Sequence, residues 1–181
     1  MLALLLAISL RQNEGPHSIM PAEKILVLGV GNILLRDEGV GIRVIERIQE
    51  RYEFPHNVSV LDGGVLGLSL LGVISDADHL IVVDAIKKGG EPGSLYRLEG
   101  DEVPKRILAK NSLHQVDFLE TLTSCQALDK VPETVILGVE PQDIENLSIE
   151  LTPVVQERID ALVDMVLEEL DRLGVHCRSR G

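Results

Sequence analysis

Hydrophobic and polar positions along this chain alternate between two kinds of segment. Five short runs are dense in aliphatic and β-branched residues: Ile25–Val30, Val58–Leu61, His79–Val83, Ser94–Leu98 and Thr134–Val139. Uninterrupted apolar runs of this length predict buried strands of a parallel sheet. Ser94–Leu98 alternates instead, which predicts an edge strand, antiparallel to the rest. Between the runs lie segments with helical spacing. Val40, Val44, Ile45 and Ile48 share one helix face, and Arg43, Glu46, Arg47 and Glu50 the other. Leu66, Leu68, Leu70, Leu71 and Ile74 predict a helix or helical turn. Val116, Leu119 and Leu122 mark the inner face of a helix over 114–126. Thr152-Pro153 starts a last helix, with Thr152 as N-cap and Pro153 at the first position. Its stripe is Val155, Ile159, Leu162, Val163, Val166 and Leu170, and Gly174 ends it.

Strands alternating with helices predict an α/β fold: a single three-layer domain over 20–175, with a mostly parallel five-stranded twisted sheet and helices on both faces. Residues 1–19 read as an extension outside the domain. Met1–Leu10 is apolar but has no basic residues before it and is too short to span a bilayer. Residues 176–181 read as a flexible tail. A chain of 181 residues, 45% hydrophobic, has enough apolar surface for a real core. Its net charge of −12 argues against nucleic acid and against an anionic membrane surface. Cys125 and Cys177 are far apart and in no metal spacing, as expected of free thiols in a reducing cytoplasm. A cytoplasmic monomer is the expectation.

The first strand runs into an unusual loop, Gly29-Val30-Gly31-Asn32, followed by Asp37 and Glu38 and a helix opened by Gly39 and Gly41. A dinucleotide fingerprint would need glycine where Leu34 stands, and a P-loop would need Gly-Lys-Ser/Thr. A phosphate cradle also wants bare N–H groups and a cation, whereas this loop delivers two carboxylates. A cation suits it better. Asp37 is read as a helix cap or as support for its neighbour.

In parallel α/β sheets, ligands bind beyond the carboxyl ends of the strands. Strand one ends at the loop bearing Asp37 and Glu38, strand two at Asp62, and strand three at Asp84. Three strands thus deliver acids to one edge, where like charges repel and a metal ion is the simplest compensation. Five histidines are available to join them. His17 lies in the extension and His176 in the tail; His56 precedes strand two, at the opposite edge. His79 starts strand three, five steps of about 3.3 Å from Asp84, or roughly 16 Å. His114 remains, in a capping-box segment, Ser112-Leu113-His114-Gln115, whose helix amino terminus keeps the imidazole neutral. Two carboxylates and one imidazole suit nickel, zinc, manganese or iron.

These residues sit in motifs that resemble the nickel–iron hydrogenase maturation endopeptidases over about residues 23 to 175. The motifs are LGVGNILLRDEGVG (28–41), LDGG (61–64), HLIVVDAI (79–86), SLHQ (112–115), GVEP (138–141) and LTP (151–153). The resemblance implies an enzyme that removes a carboxyl-terminal extension from the precursor of a hydrogenase large subunit once nickel has been inserted. It implies Glu38, Asp84 and His114 as the metal-contacting catalytic residues, with Asp62 a weaker candidate for orienting a ligand or moving a proton. The nickel would come with the substrate precursor, so the resting enzyme would be metal-free. No serine or cysteine nucleophile is implied.

Overall fold

The computed structural model describes residues 22–64, 70–103 and 131–181. The strands are β1 (Ile25–Val30), β2 (Tyr52–Glu53), β3 (Val58–Gly64), β4 (His79–Ala85), β5 (Leu95–Glu99), β6 (Glu133–Val139) and β7 (Arg178–Ser179). Five of them form one sheet in the order β3-β1-β4-β6-β5. The first four run parallel, and β5 closes the edge antiparallel to β6, as its alternating pattern predicts. Ile25 stands level with Val58 and His79, and His79 with Glu133. The parallel strands therefore start together and present their carboxyl ends along one common edge.

Alternation of side chains sends two sets of residues to opposite faces. Ile25, Val27, Ile81, Val83, Leu137 and Val139 pack under α1 (Val40–Arg51) and a carboxyl-terminal helix. Leu26, Leu28, Leu80, Val82 and Ile136 pack on the other face with Ile74 of α2 (Leu71–Ser75). The buried members of both clusters are aliphatic, so burial of apolar area is the main force holding the layers. The result is a single α/β domain.

Two expectations about local structure change. The last helix is two pieces, α3 (Pro153–Gln156) and α4 (Ile159–Arg172). Between them the Arg158 N–H bonds Val155 three residues back, at 2.9 Å, and the apolar stripe continues across the break. Arg97 of β5 bonds Glu169 of α4 at 2.6 Å and so fastens the sheet edge to that helix. The tail does not hang free: β7 pairs antiparallel with β2, and the Arg180 N–H donates to the Arg51 carbonyl at 2.8 Å. The pairing uses main-chain groups, which leave no hydrophobic pattern in the sequence. The helix expected over 114–126, the extension 1–19, and Leu66 and Leu68 lie outside the described residues. Among the described residues, no helix is long and apolar enough to cross a membrane.

Candidate active site

Glu38 reaches the carboxyl edge because two glycines remove the side chains that would keep it away. A Cβ on Gly31, whose φ is 137°, would collide with the Glu38 carbonyl oxygen. A Cβ on Gly41 would collide with the carbonyl oxygens of Val30 and Val83. The amino end of α1 and the 3-10 turn before it (Arg36–Gly39) therefore lie directly on the ends of β1 and β4. Val83 is followed by Asp84, so the turn carrying Glu38 is seated beside the strand end carrying Asp84. Both carboxylates are buried, each 7% exposed.

Asp37, adjacent to Glu38 in sequence, has a different task. It is fully buried and caps neither the 3-10 turn nor α1. Its carboxylate accepts the Thr152 N–H at 2.7 Å and the Thr152 hydroxyl at about 3 Å on one side. On the other it accepts the Gln142 and Asp143 N–H groups, each at 2.9 Å. The cap reading gives way to a tether between the turn and the 140–152 loop. Thr152 spends its hydroxyl on that tether, which is why α3 has no side-chain cap.

The same loop is gripped a second time. Arg36 takes a left-handed φ of 48°, a strained conformation for a residue with a Cβ. Its N–H donates to the Ser148 carbonyl at 2.9 Å and its guanidinium to Asp143 at 3.2 Å. Asp143 also accepts the Asn146 side-chain amide and the Asn146 and Glu145 N–H groups. With the Asn146 bonds foremost, these donors hold its carboxyl well below the usual carboxylate range.

Glu140 follows β6 at the same edge and is 3% exposed. Its carboxylate gathers the N–H groups of Lys88, Gly89 and Gly90 at 2.9 to 3.1 Å and the Tyr96 hydroxyl at 2.8 Å. Burial pushes its pKa up, but the Lys88, Tyr96, Gly90 and Gly89 donors together outweigh burial and leave it lowered. The bond to Glu140 in turn raises the Tyr96 phenol. Applied to the fifth strand as well as the first three, the strand-end rule would have marked Glu140. Asp37 carried no such signal, because its partners come from a loop more than 100 residues away in sequence.

Of the expected site residues, then, Glu38 and Asp84 lie buried at one edge. Asp62 is at that edge too, level with Gly29, but exposed, with its carboxylate accepting the Gly64 N–H at 2.8 Å. His114 lies outside the described residues. Among the described residues, no three His, Cys, Asp or Glu side chains are grouped to hold a metal ion. His79 is at the amino edge as expected, bonded to Glu23 at 3.0 Å. Cys177, a free thiol, is raised by burial and by Asp171. Beyond the ends of β4 and β6 lies an open cleft of about 400 Å³, lined by Lys87 and the 141–146 segment.

Comparison with known proteins matches this architecture. The family model for hydrogenase maturation proteases matches residues 42–169. The hydrogenase expression/formation protein HupD of Bradyrhizobium diazoefficiens is 44% identical over 159 residues, 87% of this chain and 83% of that protein. The hydrogenase 2 maturation protease of Escherichia coli K12 is 41% identical over 159 residues, 87% of this chain and 96% of that protein. Among solved structures, the hydrogenase maturating endopeptidase HybD from E. coli superposes with a TM-score of 0.83 at 40% identity, covering 87% of this chain and 98% of that one. A sheet edge bearing buried acids, on a scaffold shared at this level of identity, makes the chain a member of the hydrogenase maturation protease family, an endopeptidase.

Proposed function

We propose that this endopeptidase removes the carboxyl-terminal extension of the nickel-loaded precursor of a nickel–iron hydrogenase large subunit, and that Glu38, Asp84 and His114 read nickel occupancy. The observation that carries the reading is the burial of Glu38 and Asp84, each 7% exposed, at one edge of the sheet. A divalent cation arriving with the substrate adds a favourable charge interaction with both carboxylates, so loaded precursor docks more favourably than unloaded precursor. Nickel is substrate here, not a resident cofactor. His114, as a neutral imidazole, supplies the third donor.

In this reading Glu38, Asp84 and His114 would hold the substrate's nickel, which would supply Lewis-acid polarisation of the scissile carbonyl. Glu38 or Asp84 takes the proton of the attacking water as a general base. Asp62 orients a ligand or relays that proton from the exposed side of the edge. The enzyme works in the cytoplasm, as a monomer, on a protein partner. The test is co-incubation with nickel-loaded and nickel-free precursor followed by mass measurement. Loss of the extension from the loaded form alone is expected, and His114→Ala is expected to abolish it. Equal cleavage of both forms would remove nickel from the recognition step.

A further inference from the structure

An endopeptidase must hold a polypeptide beside its acids, and the described residues offer one surface built for this. Ile33 and Leu34 precede the turn that carries Glu38, and Leu147 and Ile149 lie in the 140–152 loop. They are 41%, 55%, 81% and 62% exposed. The two segments are joined as a short parallel bridge, Leu35 opposite Ser148. The Ser148 N–H donates to the Leu34 carbonyl at 3.0 Å, and the Arg36 N–H to the Ser148 carbonyl at 2.9 Å. Leu147 and Ile149 flank the half-buried Ser148 and are exposed, and Ile33 and Leu34 are exposed in the turn that the Leu35 N–H closes on the Asn32 carbonyl at 3.1 Å. Aliphatic side chains of both segments thus stand together in solvent.

This exposure does not come from a loose loop. Asp37 holds the loop at Gln142, Asp143 and Thr152, and Asp143 holds Glu145 and Asn146. The Arg43 guanidinium reaches the Ile149 carbonyl at 3.1 Å. A preformed apolar platform binds without a further ordering cost. It is continuous with the acids: the Glu38 N–H bonds the Leu35 carbonyl at 3.1 Å, and a Cβ on Gly39 would stand 2.9 Å from the Ile33 Cα. Exposed Glu145 and Glu150 border it.

We propose that Ile33, Leu34, Leu147 and Ile149 form the docking platform for aliphatic side chains of the precursor polypeptide next to its scissile bond, with Glu145 and Glu150 favouring basic residues at its margin. This rests on the reading that the precursor is cleaved at Glu38 and Asp84. The test measures affinity for nickel-loaded precursor, KM and kcat for the Leu34→Ser/Leu147→Ser double variant. Affinity and KM should worsen by about tenfold or more, since the apolar area that two leucine side chains bury against the precursor is lost. Leu147→Met, which keeps the apolar surface, should stay within about twofold of wild type. Should the double variant melt early, Leu147→Ser alone decides, because that side chain is 81% exposed.

Affinity and KM unchanged in the serine variants would overturn the platform while leaving the Glu38 reading intact. Cleavage retained in Glu38→Gln, with weakened binding in the serine variants, would sink the Glu38 reading and keep the platform. A wild-type dimer that the Leu147→Ser change dissociates would assign the surface to a second copy of this chain and overturn the proposal.

Discussion

The two edges of the sheet both carry acids, and they treat them in opposite ways. At the amino edge, Lys24 meets Asp76 at 2.8 Å, with side chains 58% and 66% exposed. His79 lies between Glu23 and Glu133, whose side chains are 71% and 80% exposed. These are solvated pairs, screened by water and salt and worth little. At the carboxyl edge Asp62 is exposed, but Asp37, Glu38, Asp84 and Glu140 are all at most 7% exposed. Water cannot screen them, so each must be met by fixed donors or by something that binds. Asp37 and Glu140 are met by backbone N–H groups, and they shape the loops. The difference teaches that burial, not the number of acids, distinguishes the two edges.

That contrast can be broken or sharpened by substitution. The largest effect is expected at Glu38 and Asp84. Glu38→Gln and Asp84→Asn should each lower the cleavage rate by about a thousandfold, the scale of losing a group that acts in the transition state. Their melting temperatures should stay near wild type; retained activity in either would remove that residue from the site. Next comes Asp37→Ala. It leaves the Gln142, Asp143 and Thr152 N–H groups without their acceptor and should cost about 3 kcal/mol of stability, read by denaturant unfolding. A change below about 0.5 kcal/mol would mean that water replaces the carboxylate there.

Glu140→Gln should cost about 2 kcal/mol near neutral pH, because one acceptor oxygen becomes a donor facing N–H groups. Its pH dependence has a definite sign. The folded-state carboxyl is lowered, so its stabilisation is fully present above the ordinary carboxylate pKa and is lost as pH falls through the lowered value. The variant should show a shallower loss of stability on acidification than wild type. An unchanged acid limb would locate that dependence elsewhere. The smallest effect belongs to the amino edge: Glu23→Gln or Glu133→Gln should alter stability by less than about 1 kcal/mol, and less again in high salt.

Much of this fold was legible in the chain. Uninterrupted runs such as Leu80-Ile81-Val82-Val83 mark strands buried on both faces, and Ser94–Leu98 shows by alternation that it lies at an edge. Strand direction then assigns Glu38, Asp62 and Asp84 to the carboxyl edge and His79 to the other. The short β2–β7 pairing was not legible, since backbone hydrogen bonds leave no periodicity. Nor was the break between α3 and α4, which the apolar stripe crosses without interruption.

The sequence by itself determined which elements form and at which end of the sheet the acids lie, because side-chain period and chain direction are local properties. The tertiary structure decided what each acid does there. Asp37 and Glu38 are adjacent in one tight turn, and nothing local distinguishes them. The 140–152 loop, brought over from beyond β6, puts its N–H groups and Thr152 on Asp37, while Gly31 and Gly41 let the same turn seat Glu38 beside the strand end that carries Asp84. A carboxylate's role follows from the groups that surround it once water is excluded, and those groups are assembled by folding.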